Sequence, residues 1–329
     1  MKSTAYLCTA VLLMAAIAPD RPLHAQETAS AAAPQKVILD TDIGDDIDDA
    51  FALALLLHSP QVQLLGVTTA WGDTDLRARL VARFLAETGH SDIPVAAGPA
   101  TKARSTFSQR RYAEGFPPRQ WPDGVAFILD QIRRYPGQIT LISIAPFSTV
   151  GAVIDRDPAA FRNLKRIVIM GGSIHRRYGD LDYLPARGPE PEYNADQDIP
   201  STKKLFAAGV PLEVMPLDST QIKLDEVLRA KLFSQGTRTT DALSLLYWQW
   251  TASTENPTPT LFDAVAVAEA IDPSLCPTQP MRIRIDDAGR TLQETGAPNA
   301  KVCLQSNSDQ FFQFYFRTVL GQETPATAQ

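Results

Sequence analysis

Six short apolar runs, "KVILDT", "QLLGVTT", "DIPVAAG", "QITLISI", "RIVIMGG" and "PLEVMP", alternate along the chain with stretches of helical periodicity. Each run is apolar at consecutive positions, so both faces of the strand it forms must be covered, as in a parallel sheet flanked by helices. Residues 49–58, 74–89, 124–135, 147–155 and 201–208 read as covering helices. The alternation predicts an α/β fold with a mainly parallel, Rossmann-like sheet, and no repeat or linker-like break argues for more than one domain. Two connections are too long and too rich in Pro, Gly and Arg to be simple joins: residues 99–122 and 172–191. Both follow strands, on the side of the sheet where α/β proteins bind ligands.

The termini read differently. Lys2, an apolar stretch over residues 5–18 and Ala25 at the end of "PDRPLHA" form the pattern of a secretory signal peptide, assigned to residues 1–25. The stretch is shorter than the roughly 20 residues a membrane span needs. Residues 26–35 read as a linker, 36–321 as the folded domain and 322–329 as a flexible tail. An exported protein, periplasmic or secreted and with no membrane association after signal removal, is expected. A net charge of −6 with no basic block excludes nonspecific nucleic-acid binding. Cys276 and Cys303 remain after processing; an oxidising compartment permits them to pair, and two unpaired core thiols are the alternative.

The motif "DTDIGDDIDD", Asp40 to Asp49, follows the apolar run Val37-Ile38-Leu39 and leads into the apolar helix "AFALALLL". Two like charges about 4 Å apart cost on the order of 4 kcal/mol at an effective dielectric near 20, so several such pairs require a counter-charge. Oxygen-only ligands point to a hard cation, with calcium the first choice for an exported protein. A solvated turn with Asp48 as helix N-cap explains Asp45, Asp46 and Asp48 but not Asp42 and Asp49. An EF-hand is excluded by spacing, because its sixth-position glycine and twelfth-position glutamate would be Asp45 and Phe51.

Further along stand "GVTTAWGD", "PVAAG", "MGGSI" at 170–174, "PEYNADQD" at 191–198 and "TLFDAVAVAEAID" at 260–272. With the aspartate motif, and in this order, they make the chain resemble the inosine-uridine-preferring nucleoside hydrolase family from about Lys36 to Val319. The resemblance implies a calcium-dependent hydrolase that cleaves ribonucleosides to free base and ribose. It implies Asp42, Asp49 and Asp263 as calcium ligands, with Asp42 also the base that activates water, and Ile144 as donor of a backbone carbonyl to calcium. Asp48 would contact the ribose hydroxyls, and Met170, Glu192 and Asn194 would hold the ribose. A homo-oligomer is a further implication. The residue types suit the chemistry, since an oxocarbenium-like sugar calls for negative surroundings, an activated water and a grip on the hydroxyls.

Each residue also has a structural reading. Met170 ends "IVIM" and suits a core; Glu192 and Asn194 suit caps of a helix beginning near Pro200; Asp263 suits an N-cap. Asp218 reads as a supporting residue. Phe262 stands where many family members carry a His that protonates the leaving base, which leaves His175 as the only substitute acid, or a surface residue. Asp73 replaces a common Asn and would add negative charge near the metal, and Asp46 competes with Asp48 for its role because the motif is two residues longer than the commonest form. Trp71, Tyr178 and Tyr183 suit either base stacking or packing. Two other functions stay open: a haloacid-dehalogenase-like phosphatase using Asp40 and Asp42, in which Gly44 replaces an expected Thr, and a noncatalytic nucleoside- or ribose-binding protein.

Overall fold

Strand β1, Gln35–Thr41, is buried over Val37 to Thr41 because parallel neighbours flank it on both sides, β2 at Val62–Thr69 and β4 at Ile139–Ser143. The computed structural model describes residues 33–103, 105–180 and 185–321. The proposed signal peptide, most of the linker and the tail lie outside the described residues. The remaining strands are β3 at Val95–Ala97, β5 at Arg166–Met170, β6 at Leu212–Met215, β7 at Gln279–Ile285, β8 at Thr291–Glu294 and β9 at Ala300–Val302. They form a nine-stranded sheet in the order β3-β2-β1-β4-β5-β6-β9-β7-β8. From β3 to β9 every neighbouring pair is parallel, and β7 and β8 extend the sheet antiparallel. The mainly parallel α/β sheet expected from the sequence is the one observed.

The six strands read from apolar runs are all present, with ends displaced by three residues or fewer. The expected helices are present too, at Asp48–His58, Thr74–Thr88, Gly124–Arg134, Ser148–Arg156 and Ile199–Ala207. The antiparallel extension was not anticipated. Its signal was in the sequence: in β7, "QPMRIRI", Met281, Ile283 and Ile285 are buried while Arg282 and Arg284 are exposed. That is the period of two of a strand with one face in water, not the continuous apolar run of a covered one.

Chain order reverses between β1 and β4, and in open α/β sheets the crevice outside such a reversal receives the ligand. Asp42 follows β1 there and Ile144 follows β4. Asp40, one residue before the end of β1, is wholly buried and serves the sheet: its carboxylate accepts hydrogen bonds from the Thr68 hydroxyl on β2 (2.7 Å) and the Ser143 hydroxyl on β4 (3.2 Å). Two hydrophobic cores cover the sheet, one containing Phe51, Phe84, Val265 and Phe311, the other Ile128, Phe147, Phe161 and Leu205. Among the described residues no helix is long and apolar enough to cross a membrane.

Cys276 and Cys303 are joined as a disulfide, with Cα atoms 5.7 Å apart across a separation of 27 residues. The two-thiol alternative is thereby set aside. Closing a loop of that length stabilises a fold by about 3 kcal/mol through the unfolded chain. Cys303→Ala is expected to lower the unfolding free energy by about 2–4 kcal/mol in denaturant titration. Reductant should then lower the stability of the parent protein and leave the variant unaffected.

Candidate active site

Two helices that pack against each other begin at the same place. Asp48 and Asp49 occupy the first turn of the Asp48–His58 helix, and Asp263 the first turn of the Phe262–Ile271 helix. The apolar sequences "AFALALLL" and "AVAVAEAI" bury almost completely, which brings the two N-termini together. Each N-terminus carries partial positive charge that favours a carboxylate by about 0.3–1 kcal/mol. Neither Asp48 nor Asp263 is an N-cap: the cap positions are Ile47 and Leu261, without side-chain cap bonds. The capping readings of both residues are therefore corrected. Their carboxylates are free for another role because the helices start one or two residues earlier than a cap would require.

One carboxylate oxygen from each of Asp48, Asp49 and Asp263 lies within 4.8 Å of the others, and all three residues are buried. Asp48 Oδ2 accepts a hydrogen bond from the Asp263 amide at 3.2 Å, and Asp49 accepts one from the Thr41 hydroxyl. Burial, then mutual repulsion, pushes all three well above the usual carboxylate range. Burial likewise raises Asp42 to about 7, with the Arg77 guanidinium pulling the other way. An oxygen-only cluster held against its own repulsion fits a hard cation, and among the described residues no Lys, Arg or His lines the cleft. Asp48, Asp49 and Asp263 have the closest mutual approach, and Asp42 repels all three.

The cluster opens into a cleft of about 480 Å³ that Asp42, Ile144, Met170, Glu192 and Asn194 also line. All eight sequence-predicted site residues thus face one space. The larger groove of about 870 Å³, between the Ile199–Ala207 helix and β7, brings Lys203, Arg282 and Lys301 to its walls with Glu213 as its single carboxylate. Within the cleft Asn194 Nδ2 donates to the Met170 carbonyl at 3.1 Å and approaches its sulfur at 3.5 Å, so Met170 is both buried and site-lining. Glu192 does cap a helix, the short Tyr193–Gln197 turn rather than the one starting at Ile199. Its carboxylate accepts from the amides of Gly172 (2.8 Å), Asn194 (3.0 Å) and Ala195 (3.1 Å), and from the Tyr178 hydroxyl (3.3 Å). Only the last of these donors is a side chain, and Tyr178 is exposed.

Other expectations change. Asp73 is exposed and caps the Thr74–Thr88 helix by accepting from the Leu76 amide at 3.0 Å, so it adds no charge to the cleft wall. His175 is half-exposed and does not line the cleft; its surface reading holds. Asp218 accepts from the Ile174 and His175 amides, both at 2.8 Å, and braces the long loop as a supporting residue. Asp40, buried in the sheet, has no route to a phosphate, and the phosphatase reading fails on that burial. Asp46 and Asp48 both line the cleft, but Asp46 is exposed whereas Asp48 is buried beside Asp49. Tyr178 lines the cleft and meets Phe262 edge-to-face at 6.0 Å; Tyr183 lies outside the described residues. Asp45, Ser105, Thr106, Tyr193, Gln197, Trp250 and Thr254 also line the wall; Tyr193 and Gln197 lie inside the motif at 191–198 but were not singled out, and Ser105, Thr106, Trp250 and Thr254 belong to no motif.

The family model described as inosine-uridine preferring nucleoside hydrolase matches residues 37–313. An uncharacterised protein of Schizosaccharomyces pombe is 33% identical over 200 residues, which is 56% of this chain and 62% of that protein. The non-specific ribonucleoside hydrolase RihC of Salmonella typhimurium is 28% identical over 302 residues, 84% of this chain and 95% of the relative. Across three curated relatives the match spans between 48% and 62% of the relative's length. Among solved structures, a plant nucleoside hydrolase, PpNRh1, superposes with a TM-score of 0.72 at 20% identity, covering 89% of this chain and 100% of its own, which shows the shared fold. With the family model spanning most of the sheet and every residue of the cluster, the chain belongs to the inosine-uridine preferring nucleoside hydrolase family.

Proposed function

We propose that this protein is an exported, calcium-dependent ribonucleoside hydrolase that releases a free base and ribose. The observation that carries the reading is the convergence of Asp42, Asp48, Asp49 and Asp263 on one cleft whose facing wall holds Met170, Glu192 and Asn194. Asp49 and Asp263 would hold the cation together with Asp42 and the Ile144 carbonyl, and Asp48, grouped with Asp49 and Asp263, would share it or take a sugar hydroxyl. When bound, the cation supplies the positive charge that orients sugar hydroxyls and acidifies water.

The residues do the rest. Asp42 accepts the proton of the attacking water, whose oxygen bonds to the anomeric carbon while the glycosidic electron pair leaves with the base nitrogen. The remaining carboxylates provide a fixed negative environment for the oxocarbenium-like sugar. Asn194 offers an amide, and a sugar hydroxyl reaches Glu192 by replacing the Tyr178 hydroxyl, the longest of its four bonds. Tyr178, Tyr193, Trp250 and Phe262 supply apolar faces for a base. Export is supported by the signal-like residues 1–25 and by the Cys276–Cys303 disulfide, since disulfides persist in oxidising compartments.

Incubation with a panel of purine and pyrimidine ribonucleosides is expected to release reducing sugar without phosphate. Asp42→Ala should lower turnover by about 10²–10⁴-fold in a protein with unchanged circular dichroism. Nucleoside binding without turnover by the parent protein would instead support the binding-protein reading.

Cation binding also has a pH signature. In the folded, cation-free protein burial raises Asp42 to about 7 and also raises Asp48, Asp49 and Asp263, so these groups hold protons that the unfolded chain releases near pH 3.9, and stability falls as pH rises from about 4 through these raised ranges. Calcium replaces those protons. Thermal melts after chelation should therefore drop between pH 5 and 8, and the rise on calcium addition should be larger at pH 8 than at pH 5. A calcium effect independent of pH, or none, would count against the site.

A further inference from the structure

Beneath the aspartate motif lies a guanidinium with no access to solvent. Arg77 is 0% exposed, on the face of the Thr74–Thr88 helix that also buries Leu80, Val81 and Phe84. A guanidinium has five N–H donors, and here five acceptors meet them. Nε donates to the Trp71 carbonyl at 2.7 Å. Nη1 donates to the Asp42 carbonyl and, at 3.2 Å, to the Ile43 carbonyl. Nη2 donates to Asp45 Oδ2 at 2.8 Å and the Ser105 hydroxyl at 3.3 Å. The Arg77 Cζ stands over the Phe107 ring, 5.3 Å from its centre.

These acceptors come from three segments that no regular structure joins. One is the turn after β2, where Trp71 and Gly72 both have φ 65°, a left-handed conformation that a tryptophan adopts only under constraint. The second is the aspartate loop itself, where Gly44 has φ 122° and leaves no room for a Cβ, which would stand 2.3 Å from the Phe107 ring. The third is the long connection after β3, which also fastens onto the loop through the Ser108 hydroxyl to the Asp45 carbonyl (2.7 Å) and Gln109 Nε2 to the Asp46 carbonyl (2.6 Å).

We propose that Arg77 is a positioning residue for the reaction: its fork fixes the peptide from which the Asp42 carboxylate projects and locks the Ser105–Gln109 segment to it as one unit. The inference rests on the role of Asp42 argued above. Charge alone does not suffice, because the two carbonyls of Asp42 and Ile43 are read by one planar group in a fixed spacing. Lysine at this position keeps the charge but has three donors on a flexible stem, so it reaches fewer acceptors and leaves the Asp42 peptide loose. An ångström-scale displacement of a reacting group costs up to about 10²-fold in rate.

The test is Arg77→Lys, assayed on ribonucleoside with kcat normalised to folded protein. The expected result is a fall in kcat of about 30-fold with KM changed less than about threefold, and faster amide exchange at residues 42–46 and 105–109. A purely structural role would lower the melting temperature and the folded fraction but leave kcat per folded molecule within twofold of the parent, and that outcome overturns the proposal. Should the lysine variant not fold, Ser105→Ala removes one of the five contacts; a fall in kcat with faster exchange at residues 42–46 supports the proposal, and parent values of both overturn it. A parent protein that cleaves no ribonucleoside would sink the proposed function instead. The brace is then judged on amide exchange alone, faster if Arg77 holds the loop and unchanged if it does not.

Discussion

Repulsion among buried carboxylates is the constraint around which the rest of this protein is arranged. Asp42, Asp48, Asp49 and Asp263 occupy one end of the sheet with little access to water, and the charges of Asp42, Asp48 and Asp49 raise the proton affinity of their neighbours in the cluster. Such a cluster persists in a folded chain because packing elsewhere overrides it. The Asp48–His58 and Phe262–Ile271 helices bury nearly all of their residues, and together they hold their acidic first turns in contact. The apolar helices thus hold together carboxylates whose mutual repulsion a bound cation would relieve.

The protein meets the same problem in three ways. Asp40 is held within the sheet, where burial raises it to about 7 and the Thr68 and Ser143 hydroxyls, donating to its oxygens, pull the other way. Asp45, on the wall of the same cleft, is paired with Arg77 at 2.8 Å. Asp48, Asp49 and Asp263 have no cationic side chain among them and so present oxygen ligands. A run of six aspartates in ten residues thus divides into a strand rung, an ion pair and a carboxylate cluster, with Asp42 facing the same cleft and Asp46 at its exposed rim.

Much of this was legible in the sequence. Continuous apolar runs located the parallel strands because a strand covered on both faces has no choice of residue type. The site residues were legible through motifs, since "DTDIGDDIDD", "MGGSI", "PEYN" and "LFDA" each keep their chemistry within a few positions. Arg77 was not, although its position on the apolar stripe with Leu80, Val81 and Phe84 is a readable anomaly: a cation in a buried face implies buried partners. β7 was missed because its alternating pattern resembles a polar connection unless it is counted at a period of two.

What the sequence alone determined is the local part: which segments are strands, where each carboxylate stands along them, and that the acidic loop ends a buried strand. Tertiary structure decided which charges meet. Asp263 reaches Asp48 across 215 positions, and Arg77 reaches the Asp42 and Asp45 loop across more than thirty. It also joined Cys276 to Cys303, where the sequence left pairing open. The physical reason is range. Periodicity and turn chemistry act over one or two helical turns, whereas the distance between two charges far apart in the chain is set only when the apolar faces that carry them pack.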